Sequence, residues 1–485
     1  MNRRSAESLL WYDLETTGDD PRVARIVQIA AQRTDLELNP VEAPLVVWVR
    51  PDDDLLPAPE ACLITGLTPQ RVASRGAVGE LAAIQTLLRA MARPNTCSLG
   101  YNSIRFDDEV VRQSLFRNLL DPYAREYGAG RSRWDIIDTV RACRALRPYG
   151  IAWPNHDSGA TSYRLEDLAR ANGLAQDQAH DALSDVQATI ALARLVREKQ
   201  PRLYDYAFGL RGKRAVQQLL DDPAQAMWLH VSGMYPDADC RLSAVASLAP
   251  HPENGNGVLA YDLRHDPAPF FGLSVAQMRE RLFTPAAELP ADTPRLPVKT
   301  IALNHCPLLA PVATLDSVSA TRCALDLDTC AQHAQKLRAA ADFIANLVEA
   351  NRRVDLPEPV DADFSIYSGG FLPDADRRRL AELHASPPAT WREWQGRFQD
   401  PRLDTLLLRM RARNQPDTLT PDEHQQWNTH CRRRLAGDDP KVLGLTEYRA
   451  RIAALGADAD ARAVAILDEL TAHGNALAAR YGIDG

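Results

Sequence analysis

Within the first hundred residues, short apolar runs are cut by Gly, Pro or Asp. "LLWYDLE", "ARIVQIAAQRTD" and "PLVVWVRP" are bounded this way, and "TCSLGYN" follows a stretch at 77–93 whose apolar positions repeat at helical spacing. Runs of this length and composition predict strands, and the 77–93 pattern a helix. From Phe106 to Leu119 the period becomes helical again, with Val110, Val111, Leu115 and Leu119 on or near one face. Two more helices are expected, one at "YRLEDLARANG" closed by Gly173 and one from about His180 to Arg197. Strands followed by helices alternating with a strand predict an α/β layer fold of about 200 residues.

The pattern changes at "REKQPRLYDY" (197–206), which reads as a domain exit. Between 225 and 310, "AMWLHVSG", "GVLAYDL" and "VKTIAL" are short β-like segments separated by Pro-rich loops, as in a small barrel or sheet. One helix is expected over about 328–351, then a linker at "VDLPEPVDADF", then amphipathic helices over 372–485. Three parts result: 1–200 α/β, 201–355 β-rich and 356–485 helical. A length of 485 residues agrees with roughly three cores.

Composition narrows the class. With 45% apolar and 25% charged residues the chain has the balance of a folded soluble protein. No apolar run approaches the ~18 residues of a membrane span, and "MNRRSAESLL" lacks the long apolar core of a secretory signal. The 8 cysteines are scattered without a CxxC pair, so neither a zinc site nor a disulfide framework is expected, and the compartment is taken as the cytoplasm. A net charge of −8 argues against coating nucleic acid by bulk attraction but leaves room for a local basic groove.

Candidate chemistry begins at "LLWYDLETTGDDP". Residues i and i+2 of a strand share a face, so Asp13 and Glu15 aim two carboxylates into one small volume at the strand's C-terminal end. Taken alone, the pair is equally a solvated strand end. In "GYNSIRFDDEV", Asp107 and Asp108 open a helix, where acids also serve as caps. "AHDALSDVQ" offers His180 and Asp185 on the first turns of another helix, where a lone histidine is commonly structural.

In combination, an acid pair on the first strand, N…FD at a helix start and HxxxxD about seventy residues later resemble the DEDDh exonuclease superfamily. "LITGLTPQ", "GYNSIRFDDEVVRQ", "SRWDIIDTVRACRALRP", "QPRLYDY", "HVSGMY", "HPENGNGV", "LPVKTIALNHCPLLA" and "FLPDADRRRL" are similar to the bacterial exonuclease I family. The similarity covers most of the chain and weakens in the last ~80 residues. It implies a ribonuclease H-like exonuclease domain with a mixed sheet, an SH3-like β-domain and a helical C-terminal domain. It also implies processive 3′→5′ degradation of single-stranded DNA to 5′-mononucleotides, in DNA repair and recombination.

By the same resemblance Asp13, Glu15, Asp107 and Asp185 bind two divalent ions, Mg²⁺ with Mn²⁺ as a substitute, and His180 is the base. Two such ions activate water and steady the leaving oxygen, and Mg²⁺ suits hard oxygen ligands. Asp107 matches the family's FD position; Asp108 keeps the cap reading.

For the substrate, residues 101–150 carry nine arginines against seven acids, interleaved with aromatic residues. Cations track phosphates and aromatic faces stack unpaired bases. Family resemblance implies DNA contacts by Arg112, Tyr123, Tyr127 and Arg141, with Arg164 and Glu15 near the scissile end. Tyr127 departs from the family, where Trp is expected. Phe116 and Trp134 read as core, His251 and His305 as structural, and Lys299 as a channel wall. The resemblance also implies docking of the acidic C-terminal tail of single-stranded-DNA-binding protein. A monomer acting away from membranes is expected. Two rivals stay open: a DEDDh exoribonuclease, since nothing in the acid set reads a 2′-OH, and a catalytically silent single-strand-binding scaffold.

Overall fold

The computed structural model describes residues 7–174, 181–353 and 361–483. Packing divides the chain into two compact units. One comprises 1–132, 176–187 and 358–485; the other comprises 133–175 and 188–357.

In the first unit, β1 (Ser8–Thr16) pairs antiparallel with β2 (Ile26–Thr34), and β2 antiparallel with β3 (Leu45–Trp48). β4 (Thr96–Gly100) joins the other side of β1 in parallel, so the sheet is mixed. Leu10, Tyr12 and Leu14 of β1 enter a core with Ile29, Ile84, Leu87, Met91, Val110, Val111 and Leu115. Those partners come from β2, from α1 (Glu80–Met91) and from α2 (Asp107–Arg117), the two helices that the apolar periods predict. The strand's period of two then turns Trp11, Asp13 and Glu15 to the opposite face.

Helices from the C-terminal part belong to the same unit, among them Pro401–Asn414, Pro421–Ala436, Leu445–Gly456 and Ala461–Tyr481. Phe116 and Leu119 pack with Leu380, Leu383, Trp391, Leu403, Leu406, Leu407 and Met410, so Phe116 is core as expected. A buried ion-pair network adds polar cement. Arg413 lies 2.7 Å from Asp54 and 2.8 Å from Asp363, and Arg434 repeats both contacts at 2.7 and 2.8 Å.

The second unit holds a five-stranded antiparallel sheet. Its order is Leu308–Pro311, Trp228–Val231, Leu242–Pro250, Gly257–Asp262 and Val298–Ala302. The three β-like segments read from sequence are all strands of this sheet. One expectation needs correction. The single helix over 328–351 is two, Leu327–Arg338 and Ala341–Ala350, broken at Ala340, whose φ of −103° and ψ of 57° leave helical geometry. The segment read as a domain exit, 197–206, is largely helix Pro201–Gly209, started by a proline at its first position, where no N–H is needed. Trp134 is buried edge-on against Tyr204 and Phe208, with ring centroids 5.1 and 5.2 Å away. No helix among the described residues is long and apolar enough to cross a membrane.

Candidate active site

Asp13 pairs with Ala30, and Glu15 with Gln28, across the β1–β2 ladder. Asp185 joins them from the first turn of helix Ala182–Lys199, and carboxylate oxygens of the three lie within 4.8 Å of one another. Asp107 arrives through the backbone. Beyond Trp11–Leu99, the last β1–β4 pair, the Leu14 N–H donates to Asp107 Oδ1 at 3.1 Å. This turn needs Gly100, because a Cβ there would lie 2.8 Å from the Tyr12 carbonyl oxygen.

Two positioning residues were not singled out in the sequence. Gln28, facing Glu15, donates to Asp181 Oδ2 at 3.0 Å and accepts from the Ala182 N–H at 3.3 Å. Asp181 in turn accepts from the Ser184 N–H at 3.2 Å. Together they moor the helix that presents Asp185. The available signal was a glutamine in the otherwise apolar first part of the strand, in register with an acid.

Asp108 is not the helix cap expected of it. Its carboxylate accepts from the Tyr12 hydroxyl and from Arg125 Nη2 at 2.7 Å, all three residues being buried. A buried carboxylate in this setting takes its charge partner rather than the helix end. His180 lies outside the described residues.

Burial and neighbouring carboxylates set the electrostatics of Asp13 and Glu15. Burial first, then Asp185 and Asp181, push the Asp13 carboxyl up to about 8. Burial and the neighbouring Asp13, Asp185 and Asp107 push Glu15 up to about 10. The other acid group of the unit, Asp54, Asp363 and His430, makes the contrast. There Arg25, Arg413 and Arg434 surround the carboxylates and hold both Asp54 and Asp363 well below the usual range. Hard oxygen donors converging within 4.8 Å fit a divalent cation; the arginine-filled group does not.

The arginine and aromatic residues proposed to contact substrate divide between the units. In the first unit, Arg112 is buried between Glu126 at 2.7 Å and Glu109 at 3.1 Å. Its guanidinium lies 5.7 Å from the ring of Tyr123. Tyr123 meets Phe371 edge-on at 6.1 Å, and Tyr367 donates to Glu109 at 2.6 Å. Phe371 is 83% exposed and Tyr127 55% exposed, so flat aromatic surface is available. Sequence reading passed over Tyr367 and Phe371, although "FLPDADRRRL" begins at Phe371.

Arg141 and Arg164 belong to the second unit. Arg141 pairs with Asp138 at 2.7 Å and lies 5.7 Å from the Tyr163 ring, whereas Arg164 is exposed at the N-cap of helix Leu165–Ala171. Lys299 Nζ lies 3.9 Å from the centre of the Tyr235 ring. His251 accepts from the N–H groups of Glu253 and Asn254, a turn-holding role; His305 is an exposed residue near a strand end. The second unit also has a cavity of about 480 Å³, lined by Leu146, Arg147, Arg202, Leu203, Tyr206 and Pro311 among others.

Three family models match successive parts of the chain: Exonuclease over residues 10–193, Exonuclease I SH3-like domain over 211–352 and Exonuclease I C-terminal domain over 360–477. The chain is 41% identical over 430 residues to Exodeoxyribonuclease I of Escherichia coli, covering 88% of this chain and 90% of that one. A moderately thermophilic Exonuclease I from Methylocaldum szegediense superimposes with a TM-score of 0.92 at 47% identity, covering 97% and 100% of the two chains. E. coli Exonuclease I in complex with a dA16 oligonucleotide gives 0.91 at 39% identity, covering 97% and 100%. An ExoI/SSB-Ct complex gives 0.89 at 38% identity, covering 98% and 100%.

Proposed function

The chain belongs to the exonuclease I family, and from that premise we propose that it hydrolyses single-stranded DNA from the 3′ end, releasing 5′-mononucleotides, in DNA repair and recombination. The observation that carries the chemistry is the cluster of Asp13, Glu15 and Asp185, with Glu15 buried and the other two half-buried, whose carboxylate oxygens lie within 4.8 Å of one another. These three with Asp107 would hold two Mg²⁺ ions, Mn²⁺ substituting. When bound, such ions supply an activated water and balance the charge developing on the phosphate. Asp13 and Glu15 are fixed by the β1 ladder, Asp107 by the Leu14 N–H and Asp185 by the Gln28–Asp181 mooring. His180 would take the proton from attacking water, its ordinary pKa near 6.5 lying close to the working pH. Glu15 and Arg164 would orient the terminal nucleotide. We take the protein to act as a cytoplasmic monomer.

Labelled single-stranded DNA and RNA, each with Mg²⁺ and with EDTA, test this reading. Degradation of DNA alone, abolished by EDTA, is expected. Equal use of RNA would favour the exoribonuclease, and binding without hydrolysis the scaffold. A 3′-terminal phosphorothioate should slow release sharply, while a 5′ block should not. Degradation of circular single strands would overturn the end-directed reading.

The exposed aromatics supply a binding test. Each stacked base is worth about 1–3 kcal/mol, so Tyr123→Ala should weaken single-strand binding roughly 5- to 150-fold. Single-turnover cleavage at saturating DNA should stay near wild type. Arg112 and Arg141 would support the track alongside Tyr123 and Tyr127. Because Arg112 also neutralises Glu109 and Glu126, its removal should cost stability as well as affinity.

An acidic tail of single-stranded-DNA-binding protein suits the second unit's cavity, where Arg147 and Arg202 accompany apolar walls of Leu146, Leu203 and Pro311. A labelled acidic tail peptide should bind, and Arg202→Ala should weaken it several-fold in fluorescence anisotropy. Unchanged affinity would move the peptide elsewhere.

A further inference from the structure

We propose that Cys240 and Cys323 are a redox modification site, closing to an intramolecular disulfide when a hydroperoxide reaches the protein and reopening under thiol. The 8 cysteines look isolated in the sequence, these two being separated by more than eighty positions. In the second unit Cys240 Sγ lies 3.6 Å from the carbonyl oxygen of Arg322, the residue that precedes Cys323, and each thiol acts on the titration of the other. Cys240 follows a 3₁₀ turn (Asp237–Asp239), and Cys323 ends helix Ser317–Arg322.

The surroundings fix both thiols. Cys240 and Arg241 are held in the left-handed region, at φ 53° and 58°. Such residues persist only where neighbours over-determine them. Here the Cys240 N–H donates to Asp237 O at 2.8 Å, and Arg241 Nη1 donates to Tyr235 O at 2.7 Å. Arg264 donates to the carbonyls of Cys323 and Ala324 at 2.8 and 2.7 Å, fixing the other partner. Cys240 Sγ lies 3.6 Å from Arg322 O, and Cys323 Sγ lies 3.5 Å from Ala145 O.

The charged and titratable neighbours separate the roles. The Cys323 thiol beside it, with the guanidinium groups of Arg144 and Arg322, brings the Cys240 thiol down to about 6, while Cys323 is pushed up. Tyr163 faces the same thiol. Cys240 is therefore the attacking thiolate and Cys323 the resolving thiol. At 6% exposure Cys240 is reachable by a small oxidant, whereas Cys323 is fully enclosed.

In the first step the Cys240 thiolate attacks a peroxide oxygen. The O–O bond breaks, the alcohol or water leaves with one proton, and a sulfenic acid remains. Cys323 then attacks that sulfur, its proton leaving with the hydroxyl as water, and the S–S bond forms. Two thiols are oxidised and one hydroperoxide reduced. Closure removes the Cys323 thiol hydrogen that points at Ala145 O, at the end of helix Ile137–Leu146, next to cavity residues Leu146 and Arg147.

The test exposes folded, full-length protein to graded hydrogen peroxide and then alkylates it under denaturing conditions. Intact mass should fall by two hydrogens, a peptide pair linking 240 to 323 should appear, and dithiothreitol should reverse both. Cys240→Ser and Cys323→Ser should each abolish the linked pair, with DNA hydrolysis reporting that the variants fold. Faster amide exchange at 145–147 should accompany closure. Absence of the 240–323 link in wild type, at peroxide levels that already oxidise exposed methionines, would overturn the proposal, as would a link that forms only in unfolded protein. The wild-type result decides even if a serine variant does not fold.

Discussion

Asp13→Asn should reduce hydrolysis of single-stranded DNA by roughly 10²–10⁴-fold and, at the same time, raise the thermal midpoint of the metal-free protein. The first half follows from the metal reading. A bound cation supplies several kcal/mol of charge stabilisation, and each 1.36 kcal/mol is a factor of ten in rate. The second half follows from crowding of like charges. Half-buried Asp13 and buried Glu15 lie beside Asp185, with folded-state pKa values pushed up to about 8 and about 10. Between the ordinary carboxylate range and those values, the folded state holds more protons than the unfolded chain, so stability falls as pH rises. An uncharged amide at 13 removes part of that repulsion. Wild type should therefore gain stability on adding Mg²⁺, most at alkaline pH, and the variant should gain much less. Calorimetry with and without Mg²⁺, paired with a nuclease assay, measures both halves. Near-full activity in the variant would dismiss Asp13 as a ligand; a lowered metal-free midpoint would mean its carboxylate is already compensated.

What the sequence disclosed depended on the distance over which each signal acts. The period of two in β1 was enough to put Asp13 and Glu15 on one face, and the structure brings Asp185 to them. Helical spacing from 106 to 119 located α2, which delivers Asp107. Gln28 and Asp181 were invisible because their role is a contact across 153 positions, formed only once the helix lies against β2. Asp108 misled for the same reason: Arg125 and Tyr12 become its neighbours through tertiary packing, and buried pairing overrides a cap preference. Glu126, fourteen positions on, folds back to hold Arg112, a pairing that the basic local sequence does not announce. Tyr367 and Phe371 reach Glu109 and Tyr123 across about 250 residues, and no local pattern announces such a meeting.

A feature of longer range still is the one whose loss should cost the most stability. Asp54 follows β3, whereas Asp363, Arg413 and Arg434 come from the C-terminal part, and Arg25 precedes β2. All five side chains are 2% exposed or less, so the charges are desolvated and their pairing is obligatory. Breaking a buried pair by removing one partner typically costs 3–5 kcal/mol, against 0–1 kcal/mol for an exposed pair. Asp363→Ala removes a carboxylate that Arg413 and Arg434 share and should cost about 3–5 kcal/mol, read as a fall in the urea midpoint at pH 7. Asp363 is remote from the metal-ligand reading, so hydrolysis at low temperature should persist. The pH dependence separates this cluster from the active site. Asp54 and Asp363 sit well below the ordinary carboxylate range, so their stabilisation is present above pH ~4 and is lost as pH falls further. Asp363→Ala should flatten that acid limb and leave the alkaline, Mg²⁺-sensitive limb alone, while Asp13→Asn should do the reverse. A loss of under 1 kcal/mol, or both variants altering the same limb, would show that the two acid groups are not the opposites their neighbouring cations make them.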